Sequence, residues 1–111
     1  MAYTSRIAWE TMRVLASTAL TGAYQAVGTP LAHPSYILKM VNTGDTTVTV
    51  SIDAATDIDV CPAGSFWLYD EGKVGLSAGY PGMPQGTQIY VKGTAGTSGS
   101  IYLVSQYIVY L

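Results

Sequence analysis

The stretch Tyr36-Ile37-Leu38-Lys39-Met40-Val41-Asn42-Thr43-Gly44-Asp45-Thr46-Thr47-Val48-Thr49-Val50-Ser51-Ile52 decides the fold class. Successive side chains of a strand point to opposite faces, so a strand with one buried face alternates apolar and polar residues. From Thr46 to Ile52 the alternation is strict: Val48, Val50 and Ile52 face one way, Thr47, Thr49 and Ser51 the other. In the preceding run Tyr36, Leu38 and Met40 share one side and Ile37, Lys39 and Val41 the other. Asn42 to Asp45 supplies the residue types that tolerate tight turns. The two runs are therefore expected to form strands, paired as a hairpin.

The same reading extends outward. Asp57 to Cys61 predicts a short strand with Ile58 and Val60 inward. After Pro62-Ala63-Gly64, Ser65 to Tyr69 predicts another. It has Phe66 and Leu68 on one face and Trp67 and Tyr69 on the other. If Phe66 and Leu68 fill the core, Trp67 and Tyr69 turn outward or toward a second sheet; the alternative buries both faces. Thr87 to Lys92 predicts a strand with Ile89 and Val91 inward, followed by a glycine-rich hairpin turn over residues 93–99. Ser100 to Tyr110 is a last strand, long enough to expect a bulge or bend near Ser105-Gln106. A short strand is also expected around Tyr24 to Val27. Five glycines and two prolines between Gly72 and Gly86 predict a long loop, with one short strand around Lys73 to Leu76. Loops of that length are often functional.

Ser5 to Ala16 is open to two readings, of which the extended one is favoured. Ile7, Met12 and Leu15 are loosely spaced for one helical face, while the β-branched Thr11 and Val14 favour an extended segment. The extended reading makes residues 1–16 an N-terminal arm. Seven to eight antiparallel strands at spacings of roughly 10 residues predict an all-β protein, a β-sandwich or jelly roll. The 111 residues fit a single domain.

Composition narrows the function classes. Hydrophobic residues make up 49% of the chain and charged residues only 11%, under half the usual fraction of about 25%. Much of the surface is then covered by Ser, Thr, Gly, Tyr and apolar groups. Large apolar patches usually mark contacts, so an obligate assembly is one reading; a monomer with a Ser/Thr-rich coat is the other. Five Lys and Arg scattered over the chain form no basic face for nucleic acid. No run of about 18 apolar residues suggests a membrane span. Arg6, Glu10 and Arg13 interrupt the N-terminus, which does not read as a signal peptide and points to synthesis in the cytosol. A single cysteine, Cys61, rules out an internal disulfide.

No constellation predicts catalysis or a cofactor. A Cys61–His33 nucleophile pair is conceivable, but its flanks match no nucleophile signature, and Cys61 reads better as a structural thiol. Asp45, Asp53, Asp57 and Asp59 lack the spacing of a compact calcium loop and read as solvated strand-edge acids. Gly93, Gly96 and Gly99 precede a strand, whereas a phosphate-binding loop requires a helix there. What remains is aromatic: nine Tyr and two Trp, residue types enriched in protein contacts. The interface candidates are Ile7, Trp9, Met12, Trp67, Tyr69, Tyr80 and Met83. A carbohydrate-binding or adhesin-like module, with Trp67 and the tyrosines as a sugar platform, is the alternative.

The order of pieces resembles small β-sandwich virion structural proteins of tailed bacteriophages. These pieces are Ala-Ser-Thr-Ala-Leu-Thr-Gly-Ala-Tyr-Gln-Ala-Val-Gly from Ala16, Tyr-Ile-Leu-Lys-Met-Val-Asn from Tyr36, Val-Thr-Val-Ser-Ile-Asp from Val48, Pro-Ala-Gly-Ser-Phe-Trp-Leu-Tyr-Asp from Pro62 and Ile-Tyr-Val-Lys-Gly-Thr-Ala-Gly from Ile89. The resemblance covers most of the chain and carries no catalytic motif. It implies a non-enzymatic subunit, either a capsid cement or decoration protein or a component of the head-to-tail or tail assembly. Its implied partners are further copies of itself and other virion proteins such as the major capsid, portal or tail proteins. Its implied location is the virion, after synthesis in the host cytoplasm. In such proteins a glycine is expected where Ala54 or Ala55 stands.

Overall fold

A computed structural model describes residues 5–70 and 83–110. The expected strand at Lys73 to Leu76, most of the Gly72–Gly86 loop, and Tyr80 lie outside the described residues. Among the described residues nine strands run in chain order: β1 Ser5–Trp9, β2 Arg13–Ala16, β3 Gln25–Ala26, β4 Ile37–Asn42, β5 Val48–Ser51, β6 Asp59–Cys61, β7 Phe66–Asp70, β8 Tyr90–Lys92 and β9 Ser100–Tyr110. A 3-10 turn at Ser17–Ala19 follows β2. All pairings are antiparallel, and the strands form two packed sheets, as expected for a sandwich. The first sheet has the order β1-β9-β4-β7, with β2 also on β9; the second has the order β3-β8-β5-β6.

The core lies between the sheets. The first contributes Leu38, Met40, Ile101 and Leu103, and the second Val48, Val50, Cys61 and Val91, all essentially inaccessible to solvent. Leu20, Val27 and Leu31 close it from the loops. Val48 and Val50 point inward as their alternation predicts; on β4 the inward side is that of Leu38 and Met40.

Three expectations are corrected. β4 and β5 are not a hairpin, because they belong to different sheets. Asn42 makes the corner between them. Its buried amide donates to the carbonyls of Thr46 (2.8 Å) and Cys61 (3.2 Å) and accepts from Gly44 N–H (2.9 Å). The glycine-rich segment after β8 likewise changes sheets, carrying the chain to β9. Its glycines serve close approach: a Cβ on Gly96 would sit 2.2 Å from Ser17 Oγ, and one on Gly99 would sit 2.3 Å from the Thr43 carbonyl oxygen. Finally, Ile58 and Val60 do not face inward. Val48 of β5 pairs with Cys61, so Cys61 takes the buried side, while Ile58 and Val60 are about half exposed. Ile52 lies beyond β5 and is exposed as well.

The N-terminal segment is extended, and from Ser5 to Ala16 it lies along β9 as an edge of the first sheet. β1 pairs in one register, Trp9 opposite Gln106, and β2 in another, Arg13 opposite Leu103. Glu10, Thr11 and Met12 therefore stand opposite only Val104 and Ser105, a bulge. The bulge expected near Ser105-Gln106 is thus on the partner strand, while β9 runs in unbroken register along β4.

Candidate interaction face

Strand register identifies which residues share the outer face of the first sheet. Val14, Tyr102, Val41 and Phe66 form one row across it. Val104, Lys39 and Leu68 form the next, and Trp9, Gln106, Ile37 and Asp70 the third. Ile7 and Ile108 extend it. Of these side chains, Lys39 and Asp70 are the charged ones. Trp9 and Phe66 are each 62% exposed, Leu68 49% and Val14 48%. Several large apolar side chains exposed side by side on one face are the pattern that marks a contact surface. A hollow of about 600 Å³ opens on it beside Val41, Gly64 and Phe66.

The second sheet exposes Ile58 and Val60 on its outside, beside charged and polar groups. There Thr49 stands between Val60 and Lys92. Lys92 lies 4.7 Å from the ring centre of Tyr24 and bonds Asp57 at 3.1 Å. The Tyr24 hydroxyl also donates to Asp57.

β7 corrects the reading of its two faces. Phe66 and Leu68 do not fill the core; Trp67 and Tyr69 pack against it instead. The cause is the pairing of Trp67 with Met40 and of Tyr69 with Leu38, two buried residues of β4. Trp67 also donates its indole N–H to Asp59 of β6, tying the two sheets. Of the interface candidates on β7, Trp67 and Tyr69 are half-buried toward the core, and the exposed side chains of that strand are Phe66 and Leu68. The signal available in the sequence was the same alternation with its sign reversed. The sugar platform loses its leading residue too. Ile7, Trp9 and Met12 are exposed as a contact role requires, at 36%, 62% and 50%. Met83 is half-buried against the core, bridging its backbone to Ser35.

A polar cluster holds the edge of this face in place. Glu10, at the bulge, has a buried carboxylate that accepts from Arg13 Nη2 (2.8 Å), Ala32 N–H (3.2 Å) and His33 N–H (2.9 Å), and lies 3.1 Å from His33 Nδ1. Arg13 donates onward to the carbonyls of Thr29 (2.7 Å) and Pro30 (2.9 Å). The His33 ring stacks on Tyr107 of β9 at 3.7 Å. Burial alone would raise the pKa of Glu10, but the bonds from Arg13, Ala32 and His33 outweigh it and hold the carboxyl below its ordinary value. The bulge, the loop 28–35 and β9 are thereby joined through one carboxylate.

The other titratable groups are separated. Cys61 is buried, its thiol 3.9 Å from the Ser65 carbonyl. Burial, with the charge of Asp59, pushes its pKa up, the direction of an inert thiol. His33 is engaged at Glu10 and Tyr107, so the two do not form a nucleophile pair. Asp53 accepts from Ser51 Oγ and from the Ala55 and Thr56 amides, and Asp45 from Thr97. Among the described residues no three His, Cys, Asp or Glu converge as metal ligands.

No family model matches the chain, and no curated protein does. Solved structures similar in outline include the following two. One belongs to Bacillus endospore appendages, described as a family of disulfide-linked pili; it has a TM-score of 0.48 and 12% identity over 96% of this chain and 94% of that one. The other is the SPP1 Dit (gp 19.1) protein, described as a hub of the adsorption apparatus in phages infecting Gram-positive hosts. It has a TM-score of 0.44 and 10% identity over 91% of this chain and 49% of that one. Likeness at this level defines neither a family nor a role.

Proposed function

We infer that this chain is a non-enzymatic structural subunit that works by packing the outer face of its first sheet against neighbouring subunits. The observation that carries this reading is the apolar surface from Trp9 and Val14 across to Phe66 and Leu68, on a chain with only 11% charged residues. Burying it in an assembly removes the cost of solvating it. The resemblance of its strand and turn pieces to virion structural proteins of tailed bacteriophages supports a setting in a phage virion, with the subunit serving as a capsid cement or decoration protein or within the head-to-tail or tail assembly. Its partners there are copies of itself and other virion proteins.

The test is sedimentation of the purified full chain over a concentration series, beside Phe66→Glu and Leu68→Glu. Assembly of the wild type, lost in both variants while circular dichroism stays unchanged, supports the face. A wild type that remains monomeric at every concentration, and that is missing from purified particles by cryo-electron microscopy, overturns it.

A further inference from the structure

We propose that β1 pairs edge to edge with β1 of a second copy across a two-fold axis, joining the first sheets of both copies into one. The inference rests on the reading of the chain as an assembly subunit and adds the geometry of one contact.

The backbone shows which groups are available. Glu10 N–H donates to the Ser105 carbonyl at 3.0 Å, and Glu10 continues the register of β1 against β9. In an antiparallel ladder, residues that bond their partner alternate with residues whose N–H and C=O point the other way. Ala8 and Arg6 therefore bond β9, whereas Ser5, Ile7 and Trp9 turn their N–H and C=O groups away from it. The far side of β9 obeys the same parity: the carbonyls of Ser100 and Gln106 serve the β4 side, accepting from Thr43 (3.0 Å) and Tyr36 (2.8 Å). Among the described residues no strand pairs with the outer edge of β1.

Such an edge is a template for another strand, and proteins usually blunt it with Lys, Pro or a bulge. β1 has neither Lys nor Pro. The bulge at Glu10 to Met12 comes only after it, and the Glu10–Arg13–His33 cluster fixes that bulge in place. The added strand thus has a defined stop at Trp9.

The occupant follows from register. A second β1 meets the available groups when odd residues oppose odd residues. Centring the axis on Ile7 places Ile7 opposite Ile7 of the second copy and Ser5 opposite Trp9, with Arg6 opposite Ala8. Shifting the centre to Arg6 sets two arginines face to face, which is destabilising. Shifting it to Ala8 leaves only Ile7 and Trp9 to pair, so the Ile7 register, which engages Ser5, Ile7 and Trp9, makes the most ladder bonds. It is isologous, as two-fold contacts are. It also brings the Ile7–Trp9 ends of the two apolar faces together into one surface.

Amide hydrogen exchange on the full chain reads the parity directly. At high protein concentration the Ile7 and Trp9 amides are expected to exchange at least tenfold more slowly than at low concentration, while the Arg6 and Ala8 amides stay protected at both. Ile7→Pro removes a donor that β9 does not use, so it should weaken dimerisation at least tenfold in sedimentation and leave the sandwich folded. Assembly with Ile7 and Trp9 amides exchanging freely overturns the edge contact and leaves the face reading standing. A monomer at all concentrations overturns the edge contact, and with absence from purified particles it overturns the face reading as well. If Ile7→Pro does not fold, the exchange pattern of the wild type alone decides.

Discussion

Phe66 and Trp67 are chain neighbours on β7 that serve opposite sides of the first sheet: Phe66 stands 62% exposed opposite Val41, and Trp67 lies against the core opposite Met40. The pair separates stability from assembly. Trp67→Ala removes ring packing and the link to Asp59, and should cost about 2–3 kcal/mol in chemical denaturation, below the loss at a fully buried ring. Phe66→Ser should change stability by less than about 0.5 kcal/mol, as surface replacements do, and yet weaken assembly in sedimentation.

Glu10 makes a second prediction. Its loss would leave the buried Arg13 without its carboxylate partner. Glu10→Ala is therefore expected to destabilise by about 3 kcal/mol at pH 7, the lower end for breaking a buried pair. Urea unfolding measures it.

The acid limb of stability follows from three carboxylates that hydrogen bonds hold low, Asp53, Glu10 and Asp45. Hydrogen bonds from Thr56 and Ala55 amides, then the Ser51 hydroxyl, hold Asp53 down at about 2. Glu10 is also lowered. A depressed folded pKa gives stability that is present above the unfolded value, near 4, and is lost as pH falls through the folded value. Unfolding free energy should therefore decline from about pH 4.5 toward pH 2. In Asp53→Asn the decline should be shallower, since the remaining slope comes from groups other than Asp53.

Backbone conformation supplies a contrast among small residues. Ala54 has φ of 61°, a left-handed conformation in the turn after Asp53, where a glycine is expected from the resemblance. Ala54→Gly should stabilise by about 0.5–1 kcal/mol, offset partly by glycine's unfolded-state freedom, and thermal melting should rise by a few degrees. Gly64 and Gly99 have φ of 70° and 79°. A Cβ on Gly64 meets nothing, whereas on Gly99 it meets the Thr43 carbonyl. Gly64→Ala should cost about 1 kcal/mol and Gly99→Ala about 3 kcal/mol or more, by strain added to conformation.

Much of the fold was legible in the chain. The alternation of Thr46 to Ile52 and of residues 36–41 marks β5 and β4, Ser100 to Tyr110 is β9 in full, and Val48, Val50, Ile89 and Val91 are buried as expected, while the alternation of β4 left open which of its faces, that of Leu38 and Met40 or that of Ile37 and Val41, turns inward. Exposed Ile7, Trp9 and Met12 were also recognisable, because a short segment with several large apolar groups and three charged residues has little means of burying them all.

What the tertiary structure alone decided was direction. A period of two states which residues share a face, and it states which face is inward only when one face is polar. β7 is apolar on both, so Met40 and Leu38 across the ladder had to choose Trp67 and Tyr69. A turn signal such as Asn42 to Asp45 states that the chain bends, and only the packing of two sheets around a shared core sends β5 to the far layer. The Glu10–Arg13–His33 cluster joins residues 23 apart in sequence; their proximity exists only once the bulge sits against the loop before β4. The sequence by itself determined an all-β chain with little charge to cover its surface. Register and layer assignment, long-range properties without a local signature, determined which surface that is.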